Sequence, residues 1–356
     1  MKGRLAEIDA LRGVAALAVA FIYHQHYLTG QFQSGPLDGL PVFSWLHKNG
    51  FVAVDLFFVI SGFIFAYIYA DRKAGTLTGR DFASARFARL YPLHLATLVV
   101  CAFVLWFGNP ASGGRVENGA WHFVLNLLML QESGLENGKS FNVAAWSISV
   151  EIYCYVIFYV LISRFPERLY QVSGCLAVAG LLMTVGDDLT VDRIGRGLCG
   201  FFAGVVMFRY RKADTAPVLF AFLACAIVAM FVPDASRGAK LGFAFFPALV
   251  AFSFRMSFLR HPALMWLGDR SYSIYMWHIP IFMGFNILMF GSQPVPEALV
   301  WPVLIAAWLA ILVVSDLSYR MVETPCRVWL RSKLARPALP QPPAVPAGQL
   351  PGSSRP

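Results

Sequence analysis

Residues 51–70 read FVAVDLFFVISGFIFAYIYA, twenty positions with a single formal charge, Asp55. About 20 consecutive apolar residues cross the hydrocarbon core of a bilayer as one helix. Comparable stretches lie at 11–29, 90–107, 144–163, 170–187, 194–208, 217–232, 240–254, 271–290 and 299–319. An eleventh, Trp121–Leu130, is too short to cross and is read as an interfacial or re-entrant helix. The pattern predicts an all-α polytopic membrane protein with about ten transmembrane helices and both termini cytoplasmic.

Composition agrees. Of the 356 residues, 58% are hydrophobic and only 14% are charged, against about 25% charged in soluble domains. That excludes a soluble enzyme, a nucleic-acid binder and a disordered scaffold. The net charge of +9 follows loop topology instead. With ten crossings, 22 of the 29 Lys and Arg residues fall on the cytoplasmic side and 6 outside, with Arg196 inside a span. Counting Trp121–Leu130 as a crossing would flip every later loop and destroy this asymmetry.

Lys2 and Arg4 precede the first apolar stretch as in a signal peptide, but Asp9 and Arg12 interrupt it, so a retained first helix is expected. The six cysteines include no CxxC pair, and no disulfide framework or metal site is expected. Residues 1–334 read as one membrane domain. Residues 335–356, rich in proline, read as a disordered cytoplasmic tail.

Ionisable groups inside spans are costly and mark function or pairing. The first span carries Arg12, His24 and His26. Twelve residues of regular helix rotate by roughly 120° net and fourteen by roughly −40°. His26 therefore shares the face of Arg12 better than His24, unless a bulge intervenes. A desolvated imidazole that stays neutral suits a general base. Asp55 stands alone in the second span, and Ser61-Gly62 allows close helix approach. Arg86 and Arg89, three apart at the cytoplasmic edge of the third span, are either ordinary anchors or a phosphate clamp. Ser147 and Glu151 share a face of the fourth span, and Ser271, Tyr275 and His278 form a polar stripe on the ninth. Orientation sorts these into an outer layer (His24, Asp55, Ser147, Glu151) and an inner layer (Arg12, Arg86, Arg89, Tyr275, His278).

Together the motifs resemble membrane acyltransferase family 3, which includes O-antigen and exopolysaccharide O-acetylases. The matches are Asp9-Ala-Leu-Arg12-Gly with Tyr23-His24, then Val54-Asp55-Leu-Phe-Phe-Val-Ile-Ser61-Gly62-Phe63. Arg86-Phe-Ala-Arg89-Leu-Tyr-Pro92, Trp146-Ser-Ile-Ser-Val-Glu151, Leu267-Gly-Asp-Arg-Ser-Tyr-Ser-Ile-Tyr275-Met-Trp-His278 and Glu323-Thr-Pro325 complete the set over residues 5–330. The family places ten residues between arginine and histidine on the first helix, whereas eleven stand between Arg12 and His24 here. A local bulge reconciles the two.

The resemblance implies a bacterial inner-membrane enzyme that moves an acyl group, usually acetyl, from cytoplasmic acyl-CoA to a hydroxyl of a surface or lipid-linked carbohydrate. It implies His24 as base, assisted by Glu151 or Asp55. Arg12, Arg86, Arg89, Tyr275 and His278 face the acyl-CoA, and Ser147 and Trp146 face the acceptor. Acyl-CoA enters as co-substrate, with no permanently bound cofactor, and the partners are the bilayer and a carbohydrate or glycolipid, with no nucleic acid. A small hydroxylated acceptor such as a macrolide, or a transporter using the same polar path, are the alternatives.

Overall fold

Every regular element among the described residues is a helix, as expected where backbone groups must satisfy one another away from water. The computed structural model describes residues 3–30, 36, 39–71, 77–108, 118–136, 139–211, 220–221, 224–225, 227, 231 and 234–334. The tail expected over 335–356 and most of the span expected over 217–232 lie outside them. In chain order the helices are α1 (Ala6–Leu17), α2 (His26–Thr29), α3 (Pro41–Asn49), α4 (Ala53–Tyr69), α5 (Gly79–Gly108), α6 (Ala120–Leu127) and α7 (Trp146–Arg164). There follow α8 (Leu169–Met183), α9 (Leu189–Arg209), α10 (Arg237–Lys240), α11 (Phe246–Ser253), α12 (Pro262–Gly284), α13 (Val300–Ser318) and α14 (Thr324–Leu334).

Four helical runs among the described residues are long and apolar enough to cross a membrane: Pro41–Tyr69, Gly79–Phe107, Val143–Arg164 and Glu297–Leu334. Trp121–Leu130 corresponds to α6, a helix of only eight residues.

Two packed layers frame the interior. In the first, α4 lies against α7 and α9 around Phe58, Phe63, Phe65, Phe158, Phe201 and Phe202, all 2% exposed or less. Gly62 makes that contact possible, because a Cβ there would overlap the Phe201 carbonyl. In the second layer, α1 runs beside α12 and α13, with Ala16, Ala20, Ile274, Leu304, Ala307 and Ile311 buried between them. Here the backbones touch: a Cβ on Gly13 would stand 2.7 Å from the Gly268 nitrogen. Polar groups collect along the seam between these layers.

Candidate active site

The first helix is not regular. Between Arg12 and His24 a π turn occupies Ala18–Ile22, and a 3₁₀ turn over Tyr23–Gln25 carries His24 itself. A π turn absorbs one extra residue, so the twelve-residue spacing behaves as about eleven and the net rotation falls to roughly 20°. His24 thus comes onto the face of Arg12. His26 turns away, is buried, and directs Nδ1 to the Tyr23 carbonyl at 2.9 Å.

The polar stripe of α12 lies along this helix and bonds both ends of it. Arg12 Nε donates to Ser271 Oγ at 2.8 Å and its Nη2 to the Gly268 carbonyl at 3.0 Å. One turn on, the Tyr275 hydroxyl donates to the Ala144 carbonyl at 2.9 Å and stands 2.9 Å from Ser147 Oγ. A further turn on, His278 Nε2 meets His24 Nδ1 at 2.8 Å. The expected inner layer is corrected here. Seven residues rise about 10 Å along a helix, so the stripe extends from the level of Arg12 to that of His24, and His278 belongs with the histidine.

These contacts fix the tautomers. His278 Nδ1 is 2.6 Å from the Tyr275 carbonyl, which only accepts, so Nδ1 carries the proton. In the neutral ring Nε2 is then an acceptor, and His24 Nδ1 must donate to it. In that tautomer Nε2 of His24 carries the lone pair, and the Val19 backbone is also within hydrogen-bonding reach of the ring. This is the orientation logic of a hydrogen-bonded catalytic histidine, with a second imidazole in the place a carboxylate often fills. Neither expected carboxylate holds that place. Asp55 and Glu151 bond elsewhere.

Glu151 accepts from Ser61 Oγ at 2.6 Å. It lines a cavity of about 70 Å³ with Arg12, Arg89, Ser147, Tyr155, Ser271 and Tyr275. A wide vestibule of about 1020 Å³ adjoins it, and Arg12, Ile64, Arg89, Ser271 and Tyr272 line both. They form a neck between the two spaces. Arg86 is not part of the neck. It is 8% exposed, lies 4.9 Å over the Phe65 ring, and borders an apolar groove between α5 and α7. Three residues of helix separate the two arginines by roughly 60°, enough to divide them between different spaces.

Asp55 is fully buried and paired. Arg196 Nε donates to Oδ1 at 3.0 Å and Nη2 to Oδ2 at 2.7 Å. The same guanidinium lies 5.2 Å from the Trp146 ring, with that of Arg193 at 5.8 Å. Trp146 is therefore a buried platform for arginines and does not line the cavity. From α9, Arg193 Nη1 donates to Glu132 in the loop after α6 at 2.6 Å. Burial pushes the Glu132 carboxyl above its ordinary range against the pull of Arg193. Burial, aided by Arg193, lowers the nearby Lys139 to about 8.

Sequence reading missed Arg196 as the partner of Asp55. The signal was present, since a lone arginine in one apolar run and a lone carboxylate in another call for each other. It missed two more vestibule arginines, Arg327 and Arg331, counting them only as cytoplasmic charge. Among the described residues, no group of three or more His, Cys, Asp or Glu could hold a metal ion.

Comparison with known proteins gives the family. The family model described as acyltransferase domain matches residues 5–320. The peptidoglycan O-acetyltransferase of Listeria monocytogenes is 27% identical over 376 residues, covering 90% of this chain and 55% of the relative. An O-acetyltransferase of Staphylococcus aureus is 26% identical over 378 residues, covering 91% and 57%. The acyltransferase MdmB of Streptomyces mycarofaciens is 32% identical over 187 residues, covering 49% and 45%. The chain spans about half the length of these relatives. No solved structure matches it. With the family's model matching nearly its whole helical length, the chain belongs to this acyltransferase family.

Proposed function

We propose that the protein is an integral inner-membrane O-acyltransferase. It moves an acyl group, acetyl by preference, from cytoplasmic acyl-CoA to a hydroxyl of a cell-surface or lipid-linked carbohydrate. The chain crosses the bilayer ten times with both termini cytoplasmic, and α6 lies at the outer interface. The observation that carries the reading is a continuous series of spaces and contacts. It runs from the vestibule through the Arg12–Arg89 neck to the cavity, where Tyr275 packs against His278, the partner of His24. O-Acetyltransferases among the relatives, two of them named for peptidoglycan, support a carbohydrate acceptor.

In this reading acyl-CoA is a co-substrate and no cofactor stays bound. Arg12 and Arg89 hold its phosphates, and the pantetheine arm passes the neck into the cavity. Arg12 and His24 bond Ser271 and His278, seven residues or about 10 Å apart along α12, a distance the pantetheine arm can span. His24 Nε2 takes the proton of the acceptor hydroxyl as its oxygen attacks the thioester carbonyl. The C–S bond breaks, and the proton passes to the departing sulfur. His278 holds the imidazole in the required tautomer. Ser147 and Tyr275 line the route of the acyl group, and Glu151 positions Ser61 beside it. Asp55 is assigned to structure through Arg196, as is the buried Trp146.

The test is mass spectrometry of alkali-labile acyl esters on surface glycans. A knockout strain is compared with the same strain carrying wild type or His24→Ala. Esters restored by wild type alone support both the acceptor class and His24. Three identical glycan profiles overturn the carbohydrate acceptor and favour a small hydroxylated metabolite.

A further inference from the structure

The charges of the vestibule sort into pairs and a remainder. Arg4 engages Asp9 at 2.9 Å and Asp269 at 2.7 Å, and Arg12 also reaches Asp9 at 3.2 Å. Asp71 faces Arg211 at 3.9 Å, and Glu323 accepts from Ser273 Oγ at 2.9 Å. Three arginines lining the vestibule, Arg89, Arg327 and Arg331, form no ion pair within 4 Å among the described residues.

Their placement is built by the fold. Arg327 and Arg331 are four apart on α14 and share a face. That face borders the vestibule, with Arg327 half-buried and Arg331 exposed, as are Val328 and Trp329 on the same helix. Packing of α14 on α5 brings Arg331 within electrostatic reach of Arg86, Arg89 and Arg327. Nε and Nη1 of Arg86 are buried without a partner. Glu323, within electrostatic reach of Arg89 and Arg327, offsets only part of the charge of the three vestibule arginines, and guanidinium forks match phosphate oxygens. At about 1020 Å³ the vestibule stands at the upper edge of ligand-cleft volumes, roughly 300–1,000 Å³.

Position along the route separates the roles. Arg12 and Arg89 line both cavity and vestibule, whereas Arg327 and Arg331 line the vestibule alone. A donor whose acyl end has passed the neck leaves its pyrophosphate at the neck and its nucleotide outside. We infer that Arg327 and Arg331 form a subsite for the 3′-phosphate of the donor nucleotide, a recognition element that rests on the acyl-CoA reading above. The subsite makes the enzyme select CoA thioesters over the same thioesters on a plain pantetheine or dephosphorylated carrier.

The experiment measures Kd of the full chain, in nanodiscs of zwitterionic lipid, for CoA and for 3′-dephospho-CoA. Wild type is expected to bind CoA at least about tenfold more tightly, the size of a charge-assisted contact. Arg327→Gln and Arg331→Gln each lose about tenfold for CoA but keep wild-type affinity for 3′-dephospho-CoA, which also shows that they are folded. Arg320→Gln, whose partner is Asp316, leaves both constants unchanged. If wild type binds neither compound, the acyl-CoA reading fails and the subsite with it. If wild type binds both equally, or the variants weaken both equally, only the 3′-phosphate assignment fails. A loss that depends on added phosphatidylglycerol and not on the 3′-phosphate would make the cluster a lipid-headgroup site and overturn the inference.

Discussion

In the proposed reaction His24 offers the Nε2 lone pair only while Nδ1 is committed to His278, and His278 accepts only while its own Nδ1 proton is on the Tyr275 carbonyl. Replacement of His278 therefore acts through orientation. In His278→Gln the amide oxygen can still accept from His24 and the amide nitrogen can still donate, so acyl transfer should stay within about thirtyfold of wild type. His278→Leu and His24→Ala should each lose about 10²–10⁴-fold in rate, and His26→Ala only a few-fold. Acyl transfer rates at saturating donor decide this; a His278→Leu enzyme as fast as wild type would remove the orienting role. In the loop after α6, Lys139 releases its proton near pH 8 when folded, whereas the unfolded chain keeps it to about 10.5. Between these values the unfolded state binds more protons, so stability rises with pH. The melting temperature of wild type relative to Lys139→Met should therefore climb from pH 8 to pH 10 in detergent. A difference that is flat or falls over that range would contradict the assigned burial. Individual residues were the most legible scale in the sequence: Arg12, His24, Ser147 and Tyr275 stood out because polar groups in apolar runs need a reason. Their partners did not, because 254 positions separate His24 from His278 in the chain.

The π turn at Ala18–Ile22 gives helix phase a direct test. Helical periodicity alone favours His26, and only an extra residue absorbed between Arg12 and His24 brings His24 round. Deleting Ala20 should convert the segment to regular α-helix while leaving His24 at its present phase, since eleven regular residues also give a net rotation of roughly 20°. Activity of the Ala20 deletion should remain within about tenfold of wild type. Deleting both Ala18 and Ala20 turns His24 by about 100° away from His278 and should abolish transfer. The pair of deletions, assayed side by side for acyl transfer, checks the register: equal loss in both would mean that the bulge itself is required. Element boundaries were legible wherever hydrophobicity alone decides them, as at α4 and α7. The bulge was legible only as a condition, because residue spacing states a mismatch and says nothing of where the backbone absorbs it. The division of Arg86 and Arg89 between two spaces was hidden for a related reason. Spacing of three places both near one edge of α5, and the packing of Phe65 and Tyr155 decides which space each enters.

At the scale of the whole molecule, the site lies in a seam whose two walls are held by different chemistry. On one side Gly13 and Gly268 let the backbones of α1 and α12 meet; on the other a buried Asp55–Arg196 pair ties α4 to α9. Sequence reading placed Asp55 beside the base because a lone buried carboxylate in an active-site layer suggests chemistry. Tertiary structure assigns it a cation instead. The two roles predict different outcomes. Asp55→Asn leaves Arg196 buried without its counter-charge, which typically costs about 3–5 kcal/mol. The variant should show a lowered melting temperature and reduced folded yield in detergent. Replacing both partners by apolar residues, Asp55→Leu with Arg196→Met, removes the uncompensated charge and should restore much of the melting temperature, since such exchanges are often neutral or stabilising. Transfer activity per folded molecule in the double variant then separates the readings. Activity within about tenfold of wild type fits a wall that only holds α4 in place. A well-folded double variant with no activity would return Asp55 to the chemistry, and would mean that Arg196 serves to keep a working carboxylate ionised.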